Sequence, residues 1–123
     1  MGMIDAREQI GDALESVCEN VKMAKPDGDA EFPLICYACI ADDIVGVGYD
    51  RLRWKVTAYN NTFEGLIEMV KGIDAVMNGQ LGYTRTKMTP DDETKKGVDF
   101  YMNRLEYSAL VNLEAMAVIR GST

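Results

Sequence analysis

Between Arg51 and Tyr59 apolar and polar residues alternate without a break. Leu52, Trp54, Val56 and Ala58 fall on one face at a period of two, and Arg51, Arg53, Lys55, Thr57 and Tyr59 on the other. The pattern predicts a strand buried on one side only. Directly after it, Phe63, Leu66, Ile67, Val70, Ile73 and Met77 recur at spacings of three and four, which predicts a helix with one apolar stripe. Asn61, three residues before Glu64, has the spacing of a capping box, and Asn78-Gly79 offers a left-handed stop. One strand face and one helix face therefore seek the same core.

The remaining pattern adds four elements. Asp5 with Glu8 repeats the capping-box spacing, and Ala6, Ile10, Ala13, Leu14, Val17 and Val21 predict a first helix reaching about Lys25. Lys25-Pro26-Asp27-Gly28-Asp29 is a turn cluster. Phe32 to Ile40 is apolar throughout, as in a strand covered on both faces, and Asp42 to Asp50 predicts a hairpin connection with a bulged tip. Leu81 to Met88 predicts a further strand, and Thr89 to Gly97 a polar loop.

In the last segment, Val98, Phe100 and Met102 hold one phase and Leu105, Tyr107, Ala109 and Val111 the other, which predicts a strand with a bulge near Asn103-Arg104. A helical alternative for Asp99 to Val118 stays open, because Leu, Glu, Ala and Met favour helix. From Asn112 the pattern fades into an arm or short edge strand. The order α-β-β-α-β-β predicts a single α+β domain over residues 1–123, with helices on one face of a mainly antiparallel sheet.

Composition narrows the function classes. At 123 residues with a formal charge of −7, the chain lacks the overall basic character that general nucleic-acid binding requires. No apolar run approaches the ~20 residues of a membrane span, and the start has no signal-peptide pattern, so a cytoplasmic protein with no membrane partner is expected. Ala6 stands where a myristoylation signal at Gly2 wants Ser or Thr.

Chemistry is sparse. Without a single histidine the chain lacks the commonest general base and metal ligand, and the expectation is no enzyme and no cofactor or metal. Cys36 and Cys39 have Cys-x-x-Cys spacing, but in a strand positions three apart point to opposite faces, and with Cys18 they are one short of a four-ligand zinc site. They are read as core cysteines. Asp42, Asp43, Gly46 and Gly48 match neither a calcium loop nor a phosphate loop and are read as a solvated turn.

The candidate interface residues are charged. Arg51, Arg53 and Lys55, with Tyr59, line one strand face of an acidic protein, where they suit either an ordinary wet face or an acidic neighbour such as a second copy. Asp91, Asp92, Glu93, Lys95 and Lys96 form a loop of mixed charge suited to a soluble tip or an assembly contact. Apolar groups facing both ways in Phe32 to Ile40 add to the case, since helices on one side leave the other side for a partner.

The order of elements then points further. An N-terminal helix, a strand led by Phe32-Pro33-Leu34-Ile35-Cys36-Tyr37, the Trp54 to Asn61 strand and turn, an amphipathic helix and a polar connection before the last strand together resemble the tail-terminator or tail-completion proteins of long-tailed bacteriophages. The resemblance spans roughly Asp5 to Val111 and carries no catalytic motif. It implies a small α+β subunit that forms a ring, usually a hexamer, at the head-proximal end of the tail, stops the tail tube and joins the head connector. It implies a place in the virion tail or neck, assembled in the host cytoplasm. By that likeness the charged sheet face and polar loops meet neighbouring subunits, tail-tube protein or connector. The alternative from another class is a small cytosolic oligomer that binds a ligand between sheet and helices.

Overall fold

The computed structural model describes residues 3–23, 32–91, 101–112 and 117–119. Helix α1 (Met3–Leu14) leads to a short strand β1 (Val21–Met23), then to two long strands, β2 (Leu34–Gly46) and β3 (Tyr49–Asn60). Helix α2 (Phe63–Asp74) widens into one π-helical turn (Ala75–Gln80), and β4 (Thr84–Asp91), β5 (Tyr101–Asn112) and β6 (Ala117–Ile119) complete the chain. The sheet order is β1-β2-β3-β5-β4, parallel between β1 and β2 and antiparallel elsewhere. Strand β6 pairs with β5 at Leu110 to Asn112, beyond the last β4 pairing at Ser108. The fold is α+β, and the expected order is kept with β1 and β6 added.

The core lies between the helices and one sheet face, where the period of two put it. Leu52, Trp54, Val56 and Ala58 of β3 alternate inward beside Leu105, Tyr107, Ala109 and Val111 of β5, all at most 1% exposed. Ala6, Ile10, Ala13 and Leu14 of α1 and Leu66, Met69 and Ile73 of α2 close over them. Burying each large member contributes about 1.5 to 3 kcal/mol. Two glycines set how closely the layers meet: a Cβ on Gly11 would lie 2.5 Å from the Tyr37 hydroxyl, and one on Gly72 would lie 2.9 Å from Val17. The Tyr37 hydroxyl donates to the Arg7 carbonyl at 3.2 Å, pinning α1 to β2.

Several boundaries differ from the sequence expectation, each for a local reason. Helix α1 stops at Leu14, not near Lys25: Ser16 turns its hydroxyl back onto the Ala13 carbonyl at 2.7 Å, Glu15 places a negative charge at the negative helix end, and Val21 begins a strand. Val17 and Val21 still pack on the core. The cap of α2 is Thr62, whose Oγ1 accepts from Gly65 N at 3.1 Å, while Asn60 Oδ1 accepts from Thr62 N at 3.0 Å. That moves the start one residue past Asn61.

The apolar stripe of α2 is also rotated. Met69, Val76 and Met77 are buried, whereas Phe63 is 57% exposed, Ile67 is exposed and Val70 is half-buried. Phe63 instead meets Tyr101 edge to face, with ring centroids 5.8 Å apart. The chain leaves the helix at Gly82, with φ +83°, and not at Gly79; Tyr83 N donates to the Met77 carbonyl at 2.7 Å across the wide turn.

Strand β2 is covered on both faces only from Leu34 to Tyr37, and its later residues open to solvent. Both β2 and β3 run past the expected ends, so Asp42 to Asp50 is largely paired ladder with a turn at Val47-Gly48 and shifts of register at Ile40 and Val45. The bulged hairpin was legible, but its solvated loop is mostly strand. Strand β4 starts at Thr84 and extends through Asp91, three residues beyond Met88. No bulge interrupts β5 at Asn103-Arg104: its pairing with β3 is continuous from Tyr101 to Asn112, and the register shift falls across the other ladder, between Arg85 and Lys87. Met102 belongs to the outward set with Arg104 and Glu106, so one alternation covers the described strand. The helical alternative is excluded over these residues.

Candidate assembly interface

The sheet face turned from the helices carries the predicted cations. Arg51, Arg53, Lys55 and Tyr59 alternate with the core residues of β3, and all four are partly or well exposed. Their strand neighbours decide what the face is electrostatically. Glu106 of β5 sits opposite both Lys55 and Lys87, and its Oε1 lies 3.9 Å from Arg53 Nη2. Asp43 of β2 lies opposite Arg51. One carboxylate among three cations leaves the middle of the face positive, and Arg104, opposite Thr57 and Thr89, extends it. The Arg53–Glu106 contact is long and half exposed, which limits it to about 0 to 1 kcal/mol. The positive stripe is held in register by the sheet and only weakly neutralised.

Tyr59 has a second role. Its ring lies 6.2 Å from that of Phe32, so it closes the lower end of the face as well as lining it. Thr57 and Ser108 on the same face are buried, as is Cys36 opposite Thr57. Of the second predicted set, Asp91 is the final residue of β4, opposite Met102. Asp92, Glu93, Lys95 and Lys96 lie outside the described residues.

The β2–β3 hairpin, expected as a solvated turn, carries the two most exposed large apolar residues among those described, Val47 and Ile44. Val47 is fully exposed, Ile44 85% and Val45 56%. Below this tip the stem is acidic. The Asp42 carboxyl hydrogen-bonds the Asp50 side chain, and that bond, with burial and the adjacent Asp50 charge, pushes Asp42 up to about 6. Asp43 projects from the opposite side. The available signal was the run Ile44-Val45-Gly46-Val47, apolar where a loop of that kind is ordinarily polar.

Elsewhere the polar chemistry is spent on structure. Asp74 Oδ1 accepts from the Tyr107 hydroxyl at 2.5 Å, and Asp74 Oδ2 meets Arg85 Nη1 at 2.6 Å. Burial above all, then Asp74, holds the Tyr107 phenol far above the ordinary tyrosine range, with Arg85 pulling weakly the other way. An open depression of about 520 Å³ is lined by Asp74, Ala75, Asn78, Gly79, Thr84 and Arg85, and its two charged groups face each other. Cys18 and Cys36 are buried, and Cys39 is half-buried with its thiol pushed up by burial. Cys36 and Cys39 do point to opposite faces, opposite Thr57 and Trp54 respectively. Among the described residues no three His, Cys, Asp or Glu side chains cluster as metal ligands, and no helix is long and apolar enough to cross a membrane.

Comparison with known proteins gives a fold relationship. No family model matches the chain, and no curated protein matches it. Among solved structures, the chain is similar to one in "Virion of native gene transfer agent (GTA) particle", with a TM-score of 0.58 at 11% sequence identity. The match covers 79% of this chain and 82% of that one. At that identity the likeness is one of fold.

Proposed function

We propose that this protein is a structural component of a virion, a tail-terminator-like subunit that forms a homo-oligomeric ring, caps the tail tube and joins it to the head connector. The observation that carries the reading is the fold likeness to a chain of a virion particle over about four fifths of both chains. The order of elements agrees with it, as does a sheet whose outer face is positive on a chain of net charge −7. Opposite potentials of this kind set register and partner choice in assembly. In this role the protein needs no catalytic residue and no cofactor, and its place is the tail or neck of the particle after assembly in the host cytoplasm.

The ligand-binding alternative has one observation to draw on, the depression beside Asp74 and Arg85. Its charged groups already bond each other, which leaves little to recognise a ligand. The discriminating experiment mixes purified protein with tail tubes from the same genome and images gold-labelled protein by electron microscopy. Label at one end of each tube is expected. Label along the walls, or none, contradicts the reading.

A further inference from the structure

We propose that the β2–β3 hairpin is an assembly arm, whose apolar tip and acidic stem dock on the basic outer sheet face of the next copy of this chain. This rests on the assembly reading above and names the two surfaces that meet. The tip residues Ile44, Val45 and Val47 stand 85%, 56% and 100% exposed at the end of the paired strands, a costly display of apolar surface unless something covers it. The occupant follows from charge. Asp42 and Asp43 are exposed on the stem, with Asp50 buried beside Asp42, so the surface that takes this arm must combine apolar ground with cations.

The outer face of the same sheet provides both. Arg53, Lys55 and Arg104 stand there, next to the half-buried apolar side chains Leu110 and Met102. On a chain with net charge −7, two copies repel each other on most approaches, and the basic face against the acidic arm is an orientation in which they attract. Arm and face are different surfaces of one chain. Copies joined in that way are related head to tail, the geometry that generates a ring when the rotation between copies closes. The bulges at Ile40 and Val45 suit the arm, since bulges twist an edge away from its own sheet.

The test is a charge exchange read by sedimentation velocity over a concentration series. Asp42→Lys with Asp43→Lys reverses the arm, Arg53→Glu with Arg104→Glu reverses the face, and the fourfold variant carries both. Val47→Asp removes the tip at a fully exposed site where folding is indifferent. The wild type is expected to be oligomeric, and the arm, face and Val47 variants monomeric with cooperative unfolding retained. The fourfold variant is expected to regain the oligomer, a recovery that misfolding cannot mimic. Wild-type oligomers in every reversed variant would overturn the arm while leaving a ring that caps tubes intact; a wild type that stays monomeric overturns the arm directly. Failure of wild-type oligomers to bind tube ends would instead contradict the function reading alone.

Discussion

The Tyr107 hydroxyl donates to Asp74 Oδ1, tying the central strand β5 to the last residue of α2, and Arg85 of β4 holds the other carboxylate oxygen. Three elements distant in sequence thereby share one carboxylate. A hydrogen bond to a charged group is worth about 1.5 to 3 kcal/mol, and partial exposure of Asp74 places this one at the lower end. Tyr107→Phe should lower the urea midpoint accordingly. Asp74→Ala should cost more, because it strands the buried phenol; wild-type stability in both variants would mean the bond contributes nothing.

Trp54 is fully buried, and it packs near Tyr37, with centroids 6.4 Å apart. Its Nε1 has no well-formed hydrogen-bond partner, although the indole partly offsets the burial that pushes the Tyr83 phenol up to about 12. Trp54→Ala should therefore destabilise by about 3 to 5 kcal/mol, chiefly through the cavity it leaves. Trp54→Phe should recover much of that loss in the same denaturation assay.

Gly11 is a packing position. Alanine there brings a methyl group into the Tyr37 hydroxyl and must break its bond to Arg7 or lift α1. A loss of about 1 to 3 kcal/mol is expected, in the range of overpacked sites. Combining Gly11→Ala with Tyr37→Phe should be less costly than the sum of the two, since the second change removes the atom that is struck; strict additivity would refute this explanation.

Asp42 makes folding pH-dependent. Its folded-state pKa is raised to about 6 from the ordinary 3.8, with the Asp50 bond as the largest cause, so between those values the folded chain holds a proton that the unfolded chain releases. This contribution is full below about pH 4 and is lost as pH rises through 6. Asp42→Asn should flatten the thermal stability profile between pH 4 and 7. A profile with the wild-type slope would remove Asp42 as its source.

Why some of this was legible is clearest in β3. A strand exposed on one face must alternate, so Leu52 to Ala58 and Arg51 to Tyr59 declared both the core and the candidate surface. Helix α2 was legible as an element but not in its rotation: Phe63 is apolar and finds Tyr101 outside the core, while Met69 took its place inside. Register is what sequence does not carry. That Glu106 falls between Lys55 and Lys87, that Asp42 reaches Asp50, and that Asp74 meets Tyr107 all depend on which residues lie opposite each other across the ladders. The same holds for the hairpin: its apolar run Ile44 to Val47 is in the sequence, but its exposure depends on where the paired strands end.

The claim that this chain terminates a tail tube is tested most directly by tube length. Tube protein from the same genome is polymerised in vitro, and lengths are measured by electron microscopy with and without the wild-type chain added during growth. The account predicts shorter tubes with one capped end that does not elongate when fresh tube protein is supplied. Unchanged lengths, with both ends still growing, would contradict it.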